Sequence, residues 1–414
     1  MKKTILGAFA LSFGCVGAAS AAELRMSWWG GDGRHVATQE ALKYCGGKLG
    51  HTVKPEFAGF EGYLERLSTQ LAGRTEADIL QVDWPWLHQF SRDGSGFADL
   101  RELSDSIDLS QWNEGHLAPV TLNGKLNGAP VSVTGAIPFF NVEAFQRVGL
   151  DLPKTWEDLA AAAKLMNPEG AYPYDATKVI LMFTIESLAA QSSGVEFVDP
   201  ETGELAWTKE DLVKALNHYQ WMADQGILRP WRMAAAVGNI EVFDDPAWGE
   251  GKIGGTLFWD STYSKFNDPI REGSLAPVPP MRIEGAKTDG LYKKPSMVFA
   301  VSRNSRDPQA AAQVIDCLLN DPEAILILGV SRGLPASAVA RRTLEEAGQL
   351  GAANVEAARI VAEATGPAMS PLIEHPAVQE VFLTNIEEFA YGRATAEEAA
   401  DRILSELRRA LRRL

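Results

Sequence analysis

The chain has 414 residues, 46% of them hydrophobic and 22% charged, which is an ordinary globular composition and excludes disordered, collagenous and low-complexity classes. A chain this long exceeds what one core usually organises, so two domains are expected. The formal net charge of −15 argues against nucleic-acid or anionic-membrane partners, which need a basic face.

The chain starts with Lys2 and Lys3, followed by an apolar run from Ile5 to Ala18 that Gly7 and Gly14 interrupt. Small residues, Ala18 to Ala22, then precede Glu23. This is the pattern of a secretory signal over residues 1–22, and the run falls short of the ~20 residues a membrane span needs. The expected mature protein starts near Glu23 and works in a bacterial periplasm. Two cysteines remain, Cys45 and Cys317; an oxidising compartment permits a disulfide, and two free buried thiols are the alternative. They are too few for a zinc site.

Glu23–Ser27, Thr52–Phe57 and Ala77–Val82 read as strands, and Arg34–Cys45, Tyr63–Leu71 and Trp84–Phe90 as the helices between and after them. This β-α-β-α-β order predicts a parallel sheet covered by helices. Gly128–Thr134 is extended and leads into Ile137–Phe145. Thr155 with Asp158 three residues on signals a helix start, and Lys209–Asp224 reads as a longer amphipathic helix. Ile253–Phe258 is an apolar strand and Ser261–Phe266 a short helix, while proline-rich Leu275–Pro280 suggests a crossing between domains. Ser296–Ser302 reads as a strand, Pro308–Leu319 as a helix capped by Asp307, and Glu397–Leu414 as an amphipathic helix.

Tryptophan is the first candidate for chemistry. Trp28, Trp29, Trp84 and Trp259 stand where strands end, and in open α/β sheets ligands lie beyond the carboxyl ends of strands. Aromatic faces there can stack on a sugar ring, although a single Trp is more often core. The loop Trp28–His35 has three glycines that allow close backbone approach, and Arg34 and His35 add donors. It is not a dinucleotide fingerprint, because Val36 stands where the third glycine belongs. Glu61, Asp83 and Asp260 could accept sugar hydroxyls, and two such carboxylates at a suitable separation could also be a glycosidase pair. No nucleophile elbow, zincin, Cys-x-x-Cys, P-loop or calcium-loop motif occurs, and the six histidines are scattered. The residues therefore point to binding rather than catalysis, with no cofactor and no metal.

Several stretches in order carry a resemblance. They are Gly128-Ala-Pro-Val131, Phe139-Phe140-Asn141 through Phe145 with Val148-Gly149-Leu150, Pro153-Lys-Thr-Trp156-Glu-Asp-Leu159, Gly251-Lys-Ile253, Asn320-Asp-Pro-Glu323 and Arg332-Gly-Leu-Pro-Ala-Ser337. With these the chain resembles, over essentially its whole mature length, the family 1 extracellular solute-binding proteins of bacterial sugar ABC transporters, the group that includes maltose-binding protein. The opening Trp28-Trp29-Gly30-Gly31-x-x-Arg34-His35, with Phe60-Glu61-Gly62-Tyr63 and Asp83-Trp84-Pro85-Trp86, is similar to the branch that binds oligogalacturonides.

The resemblance implies an α/β fold of two lobes, each a mainly parallel sheet flanked by helices, hinged around a central cleft. It implies a first lobe at 23–130 plus 286–328 and a second at 131–285 plus 329–414. It implies a monomer that takes an oligosaccharide into the cleft and delivers it to membrane permease subunits. The implied roles are stacking by Trp28, Trp29, Trp84 and Trp259, hydroxyl acceptance by Glu61, Asp83 and Asp260, and carboxylate pairing by Arg34, Arg332 and Lys294, with Lys293 a further candidate. Backbone N–H groups around Gly31 and Gly135, and His35, would add donors. Two alternatives stay open: a secreted lyase or glycosidase, and a sugar sensor that signals to a membrane receptor. Product analysis separates the first, and the neighbouring genes the second.

Overall fold

The structure is a computed structural model that describes residues 21–199, 202–238 and 240–414. The expected leader lies outside the described residues, apart from Ala21 and Ala22.

Among the described residues nine strands form: β1 Glu23–Trp29, β2 Thr52–Ala58, β3 Ile79–Asp83, β4 Thr121–Leu122, β5 Lys125–Leu126, β6 Ala129–Asn141, β7 Gly255–Trp259, β8 Leu275–Pro277 and β9 Lys293–Val301. One curled sheet runs in the order β2-β1-β3-β9-β6-β7, with β8 also on β6, and β4 and β5 make a separate hairpin. β1 pairs in parallel with β2 and β3. Their connections are the helices Asp32–Leu49 and Tyr63–Gly73, as the alternating pattern predicts.

The rest of the sheet departs from the expected parallel order. β9 runs antiparallel to both β3 and β6, and β7 and β8 run antiparallel to β6. Parallel contacts in that half are isolated bridges, such as Tyr174 with Leu228 and Asp175 with Thr256. Leu275–Pro280 is also not a crossing. Its first residues pair with Phe139–Asn141, and the Val278 N–H donates to the Pro138 carbonyl.

The strand that joins the two halves is β6. Its residues from Ala129 to Gly135 pair with β9, and those from Ala136 to Phe140 pair with β7. The changeover falls at Gly135. A Cβ there would lie 2.5 Å from Val361 Cγ2 and 3.0 Å from Leu291 Cδ2, so only glycine fits without displacing neighbours. β1 and β3 end at the same level, and β7 ends there from the other side with Trp259 opposite Ala136. The sheet thus brings three strand ends to one junction.

Helix starts follow their local chemistry. Thr155 with Asp158, Thr208 with Asp211, and Thr395 with Glu398 each form a reciprocal capping box. Asp307 accepts from the Ala310 N–H ahead of Pro308–Asn320. Cys45 and Cys317 are joined, with their Cα atoms 5.9 Å apart, which fastens helix Asp32–Leu49 to Pro308–Asn320. One long helix, Lys178–Ser193, carried no amphipathic signal because most of its residues are buried on every side.

Candidate functional site

The junction carries an aromatic platform on its first-lobe side. Trp86 sits 5.1 Å from Trp29, stacks on Phe60 at 5.8 Å and lies 6.1 Å from Tyr63, all between ring centroids. Phe60 is half exposed at the rim. Arg66 lies over the Tyr63 ring at 4.9 Å. From the opposite side Trp259 meets the edge of Phe183 at 5.4 Å.

Two of the four expected tryptophans are packed elsewhere. Successive strand residues face opposite ways, so when Trp29 faces the platform, Trp28 faces the first-lobe core. Trp28 is fully buried, packs on Phe57 at 5.2 Å and donates its indole N–H to His35 Nδ1 at 3.1 Å. His35 in turn stacks on Phe57 at 4.5 Å. Trp84 donates its indole N–H to the Pro119 carbonyl at 2.8 Å. Trp86, two positions along the helix Trp84–Phe90, takes the place at the junction that was expected of Trp84. A cavity of about 380 Å³ opens beside it, lined among others by Trp86, His88, Arg92, Glu374 and His375.

Arg34 and Arg332 come together on the first-lobe side. The Arg34 side chain folds over Gly30, donates to the Ser331 carbonyl at 3.0 Å and reaches the Trp29 carbonyl at 3.4 Å. Arg332 is buried and donates to Gln81 Oε1 at 2.8 Å and Thr38 Oγ1 at 2.9 Å, while its Nη1 has no hydrogen-bond partner among the described residues. All these acceptors are neutral, and neither guanidinium forms an ion pair among the described residues. Burial pulls the Arg34 pKa down to about 10. Burial, then the charge of Arg34, holds Arg332 well below its ordinary value. Lys265, from the helix Tyr263–Asn267 of the other half, is near enough to feel Arg34.

Lys294 was expected to meet a ligand carboxylate, and the structure supplies it with two from the protein. It donates to Asp83 Oδ1 at 3.0 Å and Glu374 Oε2 at 2.6 Å, and its ammonium lies 4.8 Å over the Trp259 ring. Burial works against the Lys294 charge, but the two carboxylates more than offset it and leave it above its ordinary value. Burial pushes Glu374 up to about 7, helped by Asp83 and opposed by Lys294. Asp83 is thereby occupied rather than open to a hydroxyl.

Asp260 is likewise engaged. Its Oδ1 accepts from Thr134 Oγ1 at 2.6 Å and the Gly135 N–H at 3.0 Å, which ties β7 to the changeover in β6 and takes up the Gly135 donor. Burial raises it to about 6 against those bonds. Glu61 is exposed in the turn before Tyr63–Gly73, and Gly31 is exposed at the start of Asp32–Leu49. Lys293 reaches the Ala364 carbonyl at 3.4 Å.

Trp86 was visible at its strand end but given no role, and Glu374, Glu186 and Glu196 were not anticipated. Glu186 is fully buried in Lys178–Ser193, and neither of its carboxyl oxygens has a hydrogen-bond partner among the described residues. A lone acid in the apolar run Ile180–Ala190 was the available signal. Burial pushes Glu186 well above the usual carboxylate range, with Glu196 and Glu374 adding to it. Burial raises Glu196, beside Tyr292, to about 8.

Comparisons with known proteins agree with this architecture. The structure superposes on a periplasmic oligogalacturonide binding protein from Yersinia enterocolitica in complex with saturated digalacturonic acid, with a TM-score of 0.89, 33% identity, and 95% of this chain and 99% of that chain covered. A second structure of a Yersinia enterocolitica oligogalacturonide binding protein matches with a TM-score of 0.74 at the same identity, over 94% of this chain and 99% of that one. A periplasmic solute binding protein from Pectobacterium atrosepticum matches with a TM-score of 0.89 and 32% identity, over 95% of this chain and 99% of that one. The fold is thus that of the two-lobed periplasmic binding proteins. Among curated sequences, a Brucella abortus protein described as a binding protein is 23% identical over 65% of this chain, and the match spans 64% of that relative's length. The profile of the bacterial extracellular solute-binding proteins matches residues 37–325, more than half of the chain, and the chain belongs to that family.

Proposed function

We propose that the chain is the periplasmic solute-binding component of a carbohydrate ABC importer. In this reading it is exported with cleavage near Ala22, acts as a monomer, closes around a uronate-bearing oligosaccharide and delivers it unchanged to the permease. Binding, not turnover, is its task. One observation carries the acidic sugar: in a chain of net charge −15, Arg34 and Arg332 sit together at the junction with only neutral hydrogen-bond acceptors. A buried guanidinium without a counter-ion is costly, and a carboxylate is its bidentate complement. Trp29, Trp86 and Trp259 supply the stacking faces, and Glu61 is the carboxylate open to hydroxyls. Trp28, Trp84 and His35 support from behind.

The lobes are best drawn at 23–135 plus 293–346 and 136–292 plus 352–414. The change of partner along β6 at Gly135 supports the first boundary. The packing of Ala338–Glu346 on Pro322–Leu328, and of Ala352–Glu363 on β6 and β8, supports the last.

The test is calorimetric titration of the mature chain with digalacturonate and with a neutral disaccharide of equal length. Binding of the acid alone, with the sugar recovered intact, is the expected result. Arg34→Ala should weaken that binding by about 10- to 100-fold, the loss expected for one charge-assisted contact. Equal affinity of Arg34→Ala and wild type for the acidic sugar would remove Arg34 from this role. Binding of only the neutral sugar would leave a transport protein with a different cargo.

A further inference from the structure

We propose that Asp83, Lys294 and Glu374 form a clasp between the two lobes that takes up a proton as the cleft closes, so that ligand capture is coupled to protonation. The proposal rests on the reading of the chain as a cleft-closing binding protein.

The three groups come from three places. Asp83 ends β3 in the first lobe. Lys294 stands on β9 opposite Thr134, one residue from the changeover at Gly135. Glu374 lies one residue before His375, the cap of the helix Pro376–Ala390, which packs on Lys178–Ser193 and Ala396–Leu411 of the second lobe. The ammonium therefore draws one carboxylate from each lobe, at 3.0 and 2.6 Å. Glu374 also lines the cavity beside Trp86. Separating the lobes would return it to water, and closing them would remove it.

The charges at this place do not balance. From β3 comes Asp83, from β9 Lys294 and from Lys178–Ser193 Glu186, with Glu196 and the Tyr292 hydroxyl behind it. Across the cavity stand His88 and Arg92, and His375 adjoins Glu374. Lys294 thus meets two carboxylates with one charge, and buried Glu186, which feels both Glu196 and Glu374, adds to the acidic excess. Such a set cannot be fully ionised away from water, so some of the acids must hold protons. Glu374 is the member that both touches Lys294 and faces the cavity.

The direction follows by linkage. In the closed form Glu374 keeps its proton up to about pH 7, whereas in water it would release it near the ordinary glutamate value. The closed form therefore binds more protons between those values. Closure is favoured as pH falls through that interval, and affinity declines as pH rises through it, by at most about tenfold per pH unit for one proton, and levels off above it.

The experiment is small-angle scattering of the ligand-free mature chain between about pH 5.5 and 8.5, for wild type, Glu374→Gln and Asp83→Asn. The wild-type radius of gyration should grow as pH rises toward neutral and level off above it. Glu374→Gln, which mimics the protonated acid, should stay at the compact value throughout. Asp83→Asn removes a charge that raises Glu374, so it should move the transition to lower pH. In parallel, digalacturonate affinity should fall with pH in wild type and lose that slope in Glu374→Gln. A radius independent of pH in wild type, or a Glu374→Gln profile that follows wild type, would overturn the clasp. Should circular dichroism show Glu374→Gln unfolded, Asp83→Asn decides alone, and an unmoved transition overturns the proposal. Absence of digalacturonate binding at every pH would sink the uronate reading while the scattering profile still decides the clasp.

Discussion

A carboxyl group buried without a hydrogen-bond partner is tolerated only as the neutral acid. Glu186 is such a group, and Glu196 beside it is raised to about 8. Their folded-state values lie above the unfolded ones, so the stability they contribute is fully present below the ordinary glutamate pKa. It is lost as pH rises through their folded values. The melting temperature of the protein should therefore decline as pH rises from the ordinary glutamate range to about 8. Glu186→Gln should flatten that decline, and a thermal melt across the range checks it; an unchanged pH profile in the variant would show that Glu186 does not ionise there. Residue identity at the site was partly legible in the sequence. The strand-end position of Trp28-Trp29 and Trp84-Pro85-Trp86 was visible. Which indole of each pair faces the junction depends on the phase of a strand and of a seven-residue helix, and no single-sequence pattern fixes that phase. Lys294 was legible as a charge near the site but not as one already held by Asp83 and Glu374, because Glu374 lies 80 residues further along the chain.

At the scale of elements, β6 is what makes two lobes from one sheet. Its first half belongs to one set of strands and its second half to another, and Asp260 fastens the changeover through the Gly135 N–H. Gly135→Ala would drive a methyl group to 2.5 Å from Val361 Cγ2. Overpacking of this kind typically costs about 1–3 kcal/mol. The variant should show a lowered denaturation midpoint together with weakened ligand binding, because the same displacement shifts Asp260 and the hinge. A midpoint and affinity equal to wild type would mean that the neighbouring helix Ala352–Glu363 simply gives way. The first three strands and their helices were legible because parallel βαβ units leave an alternating pattern. Ile253–Phe258 and Ser296–Ser302 were read as strands, but their antiparallel pairing with β6 was not, since β7 and β9 arrive from distant parts of the chain and their direction leaves no local mark. Lys178–Ser193 escaped for the opposite reason: a helix apolar on all sides has no period to read.

At the scale of the whole molecule, the chain leaves the first lobe and returns to it, and the disulfide closes that excursion. Cys45 lies in the first helix and Cys317 in the returning one, 272 residues apart in sequence. Sequence alone left the pairing open, because two cysteines so far apart carry no spacing signal. Cross-linking so long a segment restricts the unfolded chain far more than the folded one, and removing a native disulfide typically costs about 2–5 kcal/mol. Both cysteines are buried on the first-lobe side, with Cys45 three turns beyond Arg34 in Asp32–Leu49 and Cys317 in Pro308–Asn320. The double variant Cys45→Ser, Cys317→Ser should therefore melt at lower temperature and unfold at lower denaturant concentration. Its affinity for digalacturonate at a temperature where it remains folded should stay within about twofold of wild type, since no group at the junction is altered. Unfolding curves and titrations on the same preparation separate the two effects. Lost affinity in a fully folded double variant would show that the covalent tie also sets the position of Arg34, which stands on the same helix three turns before Cys45, and would make the disulfide part of the binding site rather than a brace behind it.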